Sequence, residues 1–374
     1  MKYIVTLCRI LVGVLFIISG FIKANDTLGF SYKLDEYFLV FNMSFMSAFS
    51  VAMAQFICVA EIVLGVATLV GWRMNLVTWL LMLMIVFFTF LTFYSAYFNV
   101  VKDCGCFGDA LKLTPWQSFG KDVILLVLIL IIFVWRNKVK PLFELKKTRW
   151  VVIFALFASS IFTYYTYAHL PVIDFRPYAI GNNIKIGMLP PPNAIPDSVV
   201  IVFKYKAKDG TIKEFGMNNL PEDLENYEFV DRTDKVIREG DKAKIHDFTI
   251  VDADGNDHTQ EFLNNPEYSF MLVAYDLNKS NTKIQGKVNQ LADACSKNKI
   301  QFFGLTSTVA AETDLFRHDN QNMFDYYFCD GTALKTIIRS NPGLVLLQNG
   351  VVVAMWHYND FPSWDDVNKQ YLKK

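Results

Sequence analysis

Five apolar stretches, at positions 3–22, 46–70, 74–98, 119–135 and 150–169, occupy most of the first half of the sequence. An α-helix rises 1.5 Å per residue, so about twenty apolar residues match the roughly 30 Å hydrocarbon core of a bilayer. Five such runs, each bounded by charge or by Pro and Gly, predict an α-helical membrane bundle. The third run, 74–98, holds no charge and ends near Tyr94 and Tyr97, whose amphipathic rings suit a membrane interface. The totals carry the same excess: 53% of the 374 residues are hydrophobic, including 33 Phe, against about 45–50% in ordinary soluble proteins. The first run is long, lacks a small-residue cleavage site and has four successors, which favours a retained span over a removed secretion signal.

Orientation follows from the basic residues, which concentrate in cytoplasmic loops. The 136–149 loop carries Arg136, Lys138, Lys140, Lys146, Lys147 and Arg149. Placing it in the cytoplasm also puts the N-terminus and the Arg73 turn inside, and loops 23–44 and 99–118 outside. With an odd number of spans, everything after about His169 lies outside as well. The expectation is a multi-pass protein of a bacterial inner (cytoplasmic) membrane, with membrane lipid as its first partner, a cytoplasmic N-terminus and a periplasmic C-terminal domain. Formal net charge is zero, so no basic field invites nucleic acid.

Past Pro171 the composition turns polar, and Pro190, Pro191 and Pro192 read as a stiff linker. Two stretches centred on Asp209-Gly210 and Asp254-Gly255 alternate β-forming residues around a turn and predict hairpins. From Tyr268 onward strand and helix alternate: strand YSFMLVAY, helix KIQGKVNQLADACSK, strand IQFFGLTS, a polar helix near 309–318, a short strand around 325–328 and helix TALKTIIRS. Two antiparallel strands joined at Asn349-Gly350 follow.

That order, with Pro342 opening the penultimate strand, resembles the thioredoxin-like fold of the TlpA and peroxiredoxin type over about residues 245–374. The resemblance implies a cis peptide at Asn341-Pro342 and a dithiol just after the first core strand. This chain reads Asp276-Leu277-Asn278-Lys279-Ser280-Asn281 there, without cysteine. Thiol exchange needs a thiolate and a resolving thiol, so the fold is expected to serve binding or architecture.

Six cysteines fall into three pairs: Cys8 and Cys58 in spans, Cys104 and Cys106 in an outer loop, Cys295 and Cys329 in the outer domain. On an oxidising side disulfides persist, and cysteines one residue apart close a small, strained and easily reduced ring. A redox pair and a structural disulfide that folds the loop are both open readings of Cys104 and Cys106. Zinc fares worse, because a structural site needs four ligands and no His lies in this loop. Cys295 and Cys329 are expected as buried thiols, with a bond between them the alternative.

The segment DCGCFGDALKLTPWQSFGKDVILL resembles the signature of the DoxX and MauE group of four-helix membrane proteins, as SGFIKANDTLGFSYKLDEYF resembles a DoxX-type first loop. The resemblance covers residues 1 to about 137. It implies thiol or quinone redox chemistry, with quinone the one cofactor to consider, and maturation of periplasmic or envelope protein partners. Cys104 and Cys106 match its cysteine pair, and Asp122 falls at the matching start of the fourth helix.

The resulting division is 1–149 for the four-helix membrane domain, 150–170 for the fifth span, 171–244 for the linker and β-rich segment, and 245–374 for the thioredoxin-like domain. The fold class is an α-helical membrane bundle with a fifth span, followed by an α/β thioredoxin-like domain whose N-terminal part is rich in hairpins. A thiol–disulfide oxidoreductase and a non-enzymatic scaffold or assembly subunit are the two functions carried forward.

Glu61 lies in the middle of the second span, where a carboxyl is costly and by default functional. The bland alternative is a hydrogen bond to Gln55, Thr89 or Thr92. Arg9 is expected to snorkel to the cytoplasmic face. Lys33, Asp35, Glu36 and Tyr37 form an amphipathic stretch on the membrane surface or over the bundle mouth. The five histidines show no metal spacing, and no metal is assigned. Near the C-terminus, Phe361-Pro362-Ser363-Trp364 offers a docking surface or a packed terminal helix.

Overall fold

The computed structural model describes all residues except 1, 102–104, 106, 107, 112, 218, 222, 239 and 374, and describes the backbone alone for Lys2 and residues 235–238. Among the described residues, five helices are long and apolar enough to cross a membrane: Tyr3–Asn25, Ser44–Val70, Met74–Phe98, Pro115–Val134 and Leu145–Ala168. Around them the helical elements are α1 (Lys2–Asn25), α2 (Thr27–Val40), α3 (Ser50–Val70), α4 (Met74–Phe98), α5 (Pro115–Val134) and α6 (Leu145–Ala168). All five expected spans are present, with ends moved by a few residues. Two shifts matter: α1 runs on to include Lys23, and α6 starts early enough to take Lys146, Lys147 and Arg149 into its first turns.

The helix ends follow local chemistry. Thr114 caps α5 in a capping box with Gln117, and Pro115 fills the first position, where a missing N–H removes nothing. Gly71, at φ +73°, ends α3 in the left-handed conformation that glycine tolerates. The N–H of Leu142 donates to the carbonyl of Val70, so the basic loop and the Arg73 turn share one end of the bundle. Arg9 is corrected from a snorkelling side chain to a helix cap: its Nε and Nη2 donate to the carbonyls of Thr68 and Leu69 at 3.2 and 2.9 Å, at the negative end of α3. α1 and α3 pack backbone to backbone through Gly13 and Gly65, where an added Cβ would come within 2.8–3.0 Å of the facing carbonyl.

The chain divides into two compact units, Met1–Asn182 with Thr249–Lys374, and Asn183–Phe248. The smaller holds α7 (Ile184–Gly187) and the antiparallel sheet of β1 (Ser198–Ala207), β2 (Ile212–Gly216) and β3 (Tyr227–Arg238), in the order β2-β1-β3. The hairpin at Asp209-Gly210 forms as expected, whereas β3 is an element the sequence pattern hid. Phe203, Tyr205, Phe215, Tyr227 and Phe229 form a chain of ring contacts across this sheet.

In the larger unit the C-terminal part contains α8 (Thr259–Leu263), β4 (Tyr268–Val273), α9 (Gln285–Lys297), β5 (Gln301–Thr306), α10 (Ala310–Asn320), β6 (Tyr326–Phe328), α11 (Gly331–Ile337), β7 (Gly343–Gln348), β8 (Val351–His357) and α12 (Trp364–Val367). Its sheet runs β6-β5-β4-β7-β8, with β4, β5 and β6 parallel and β7 and β8 antiparallel. Phe270, Met271, Leu272 and Val273 are wholly buried, as a central strand covered on both faces requires. The Asn341-Pro342 peptide is cis.

The second expected hairpin is corrected. Gly255 makes its turn, but pairing stops at the single bridge of Val251 and Asp257 because Thr259 already opens α8 and its hydroxyl accepts from the N–H of Ile250. At the C-terminus Phe361 is buried and Ser363 caps α12, so that patch packs. Cys8, Cys58, Cys295 and Cys329 are buried.

Candidate functional site

Two polar assemblies occupy otherwise apolar ground. The first lies inside the bundle. Gly20 lets α1 approach α3 closely beside Glu61. One turn on, Lys23 Nζ donates to Glu61 Oε1. The two side chains are 3% and 5% exposed. The expected partners of Glu61 are therefore corrected: Thr89 donates to the carbonyl of Ile85, and Thr92 turns to Asp122. Lys23 also sits over the rings of Phe30 and Phe88, at 5.2 and 4.8 Å from their centroids, which stabilises a cation in a poorly solvated place.

Asp122, on α5, accepts from Thr92 Oγ1 at 3.0 Å and from Lys121 Nζ at 2.6 Å. Glu61, Asp122, Lys23 and Lys121 line one cavity of about 30 Å³, together with Phe16 and Phe88. The two membrane carboxylates singled out in the sequence thus meet in one chamber.

The second assembly joins the bundle to the C-terminal sheet. Asp26 follows α1 and caps α2, accepting from the N–H of Gly29 at 2.9 Å. Into the same carboxylate reaches Arg339, from the segment between α11 and β7. Its Nε lies 2.9 and 3.0 Å from the two oxygens and its Nη2 2.8 Å from Oδ2. Nη2 also lies 3.4 Å from Asp109 Oδ2, and Nη1 donates to the carbonyl of Lys335. The guanidinium is 7% exposed. Burial alone would raise the Asp26 carboxyl, but the charge and hydrogen bonds of Arg339 outweigh it and hold the group below the usual carboxylate range.

Around this clamp the contacts are dense. The guanidinium of Arg176 pairs with both Asp174 oxygens, at 2.7 and 2.6 Å, and donates to the carbonyl of Ile337 at 3.2 Å. Asn25 exchanges two hydrogen bonds with the backbone of Ile173. The hydroxyl of Tyr32, on α2, donates to that of Tyr275 at 3.2 Å, and Lys335 lies over both rings. Where α6 ends, His169 Nδ1 lies 2.7–2.8 Å from both Asp360 oxygens and Asn359 donates to the carbonyl of Ala168. Thus α2 belongs to the packed bundle, with Tyr37 buried and accepting from Ser95 at 3.1 Å.

Cys104 and Cys106 lie outside the described residues. Gly105, between them, has φ +68°, and a Cβ there would stand 3.0 Å from Cγ of Lys33. Three residues past Cys106 is Asp109, the second carboxylate of the clamp.

The position after β4 where the sequence lacks a dithiol is built from side-chain-to-backbone turns. Asp276 accepts from the N–H of Asn278 at 3.1 Å, Leu277 donates to Thr308 at 3.0 Å, and Asn341 donates to the carbonyl of Asp276 at 2.7 Å. It borders an open groove of about 370 Å³ lined by Tyr275, Asp276, Lys279, Ser307, Glu312 and Lys335. Burial pushes the Cys295 thiol up to about 12, which leaves it inert as a nucleophile at neutral pH.

Sequence reasoning missed Lys23, Arg339, Asp26 and Asp109. Only Lys23 left a signal, a cation one residue beyond the expected end of a span.

Helices and sites together define a multi-pass membrane protein. Residues 1–136 match the family described as Methylamine utilisation protein MauE. Residues 199–239, the three-stranded sheet, match a domain of unknown function, DUF8463. No curated protein and no solved structure matches the chain.

Proposed function

We propose that this protein exchanges thiols and disulfides with a protein partner on the non-cytosolic side of a bacterial inner membrane, using Cys104 and Cys106, while its thioredoxin-like C-terminal domain holds the partner. The observation that carries the reading is the reach of Arg339 to Asp109, which ties the segment just after the cysteine pair to the domain. Sidedness is supported by charge: Arg73, Arg136, Lys138 and Lys140 gather at the end of the bundle opposite the clamp, as the cytoplasmic end should. The alternation of β4, β5 and β6 with helices and the cis Asn341-Pro342 support the thioredoxin-like reading.

The exchange balances without an outside oxidant. A partner thiolate attacks the Cys104–Cys106 disulfide, one cysteine leaves as thiolate, and a mixed disulfide forms. A second partner thiolate attacks that bond, so the partner gains a disulfide and Cys104 and Cys106 end as thiols. Reduction of a partner is the reverse. The family description names methylamine utilisation, and for this chain that process is part of the proposal.

A scaffold role is the second reading, favoured by the turn-forming, thiol-free stretch Asp276–Asn281. Trapping decides between them. Presented with the oxidised partner, the Cys106→Ser variant should accumulate a mixed disulfide, because the Cys104 thiolate attacks the partner disulfide and no second thiol releases it, seen as a band that reductant removes; Cys104→Ser with Cys106→Ser should abolish it and alter partner thiol states. An unchanged partner in the double variant leaves the scaffold.

A further inference from the structure

The chamber inside the bundle carries chemistry that thiol exchange does not use. Glu61 Oε1 receives Lys23, but Oε2 is buried and, among the described residues, has no hydrogen-bond partner. A buried acceptor left empty is unfavourable, and more so when charged. The cavity beside it, at about 30 Å³, exceeds the roughly 10–15 Å³ that one water needs, and its walls offer several polar partners.

The chamber is also one-sided. Toward the clamp end, Lys121 is 22% exposed and touches Asp122, so the polar lining reaches the surface. Toward the basic end, Val12, Leu64, Leu81, Ile129 and Ile132 form a buried apolar plug. Among the described residues, the titratable groups around Glu61 are Lys23 on α1, Lys121 and Asp122 on α5, and Cys58 one turn away on α3, with Asp26 just past α1 also acting on Cys58, while α4 contributes Ile85 and Phe88. α6 turns Ser159 and Thr163 inward and α2 turns Phe30 and Leu34 inward, none of them titratable near neutral pH.

We propose that the chamber holds water and makes Glu61 a proton-exchange site that communicates with the clamp end of the bundle only. A hydrated proton reaches the chamber past Lys121 and Asp122, transfers to the free oxygen of Glu61 to give a carboxylic acid and water, and returns by the same route. The plug blocks passage to the other end, so the site stores and releases protons rather than conducting them across the membrane. The proposal is independent of the cysteine chemistry.

The test uses the full chain in lipid nanodiscs. Radiolysis converts bound water to hydroxyl radical, so Phe16 and Phe88 should oxidise several-fold faster than Leu81 and Ile129, each rate taken relative to the unfolded chain. Glu61→Leu should bring the chamber down to the plug. Dicyclohexylcarbodiimide, which couples to protonated carboxyls in apolar surroundings, should mark the peptide containing Glu61 at a rate that falls as pH rises, and Glu61→Gln should remove the adduct. Equal oxidation of chamber and plug, or a Glu61 adduct that is absent or indifferent to pH, overturns the proposal. The wild-type pattern suffices even where a variant fails to fold.

Discussion

The clamp and the chamber are both buried ion pairs, and they differ in how completely the charges are used. At the clamp, Arg339 spends its fork on Asp26, Asp109 and the carbonyl of Lys335, and Asp26 also accepts from the α2 backbone. In the chamber, one oxygen of Glu61 is left over among the described residues. Desolvating two charges is expensive, and their attraction repays it only when the remaining hydrogen-bonding capacity is filled. A filled pair is explained by architecture; an unfilled one in hydrocarbon asks for a ligand.

Deleting one cation from each assembly puts that contrast to its hardest test. Arg339→Met removes the main counter-charge of Asp26, and Lys23→Met that of Glu61; breaking a buried pair costs about 3–5 kcal/mol. The difference lies in the rescue. Adding Glu61→Gln to Lys23→Met removes the stranded charge and should recover most of the loss. Asp26→Asn added to Arg339→Met should recover little, because the Asp26 carboxylate also caps α2 through the N–H of Gly29 and faces the charge of Arg176, interactions that the amide weakens. Unfolding in graded denaturing detergent measures all four variants, and equal rescue at the two sites would erase the distinction.

What the sequence made legible follows from the range of each interaction. A span is written in twenty consecutive residues, and the turns at Gly210 and Asn349-Gly350 are written in two. β3 was hidden because its alternation of Tyr227 and Phe229 gives way to Asp231, Arg232 and Asp234. The overread hairpin at Asp254-Gly255 had the right turn, but the helix signal at Thr259 cut its second strand short. Glu61 and Asp122 were visible because a carboxylate in an apolar run stands out. Their companions were not: Lys23 looked like the polar flank of a span, and Arg339 like the polar end of a surface helix. The clamp joins residues 313 and 230 positions apart, a separation no periodicity reports.

His357 extends the comparison to a base that the fold keeps uncharged. It is buried at the end of β8, beside His169 and Asp360, and its ring Nδ1 accepts from the N–H of Asn359 at 3.2 Å. Burial pushes its pKa down to about 4, with His169 adding to the effect and Asp360 opposing it. Between that value and the ordinary one near 6.5, the unfolded chain binds a proton that the native one refuses. Stability is therefore full above about pH 6.5 and falls as the pH drops toward 4, by on the order of 3 kcal/mol. Protease protection of the C-terminal domain against pH should show this slope, and His357→Gln should flatten it. A slope untouched by the substitution would place the acid sensitivity elsewhere, with the clamp carboxylates next in line.

The smallest expected effect is the most pointed, because it alters no charge. Gly29 sits on the first turn of α2, where Asp26 caps the helix and Arg339 covers the cap. A Cβ at that position would stand 2.2 Å from Asp26 Oδ2 and 2.7 Å from Arg339 Nη2. Alanine is the better helix former, so propensity alone argues that Gly29→Ala stabilises α2. The clamp argues the reverse: the methyl cannot fit until the carboxylate or the guanidinium moves, and overpacking a tight site costs about 1–3 kcal/mol. Limited proteolysis reads the sign, with faster cleavage after residue 171 in Gly29→Ala than in wild type, and with Gly29→Ala adding nothing in an Arg339→Met background, where the clamp is already open. An alanine that leaves cleavage unchanged would mean that α2 and the C-terminal domain separate freely, and that the link between Asp109 and Arg339 transmits nothing to the cysteine-bearing loop.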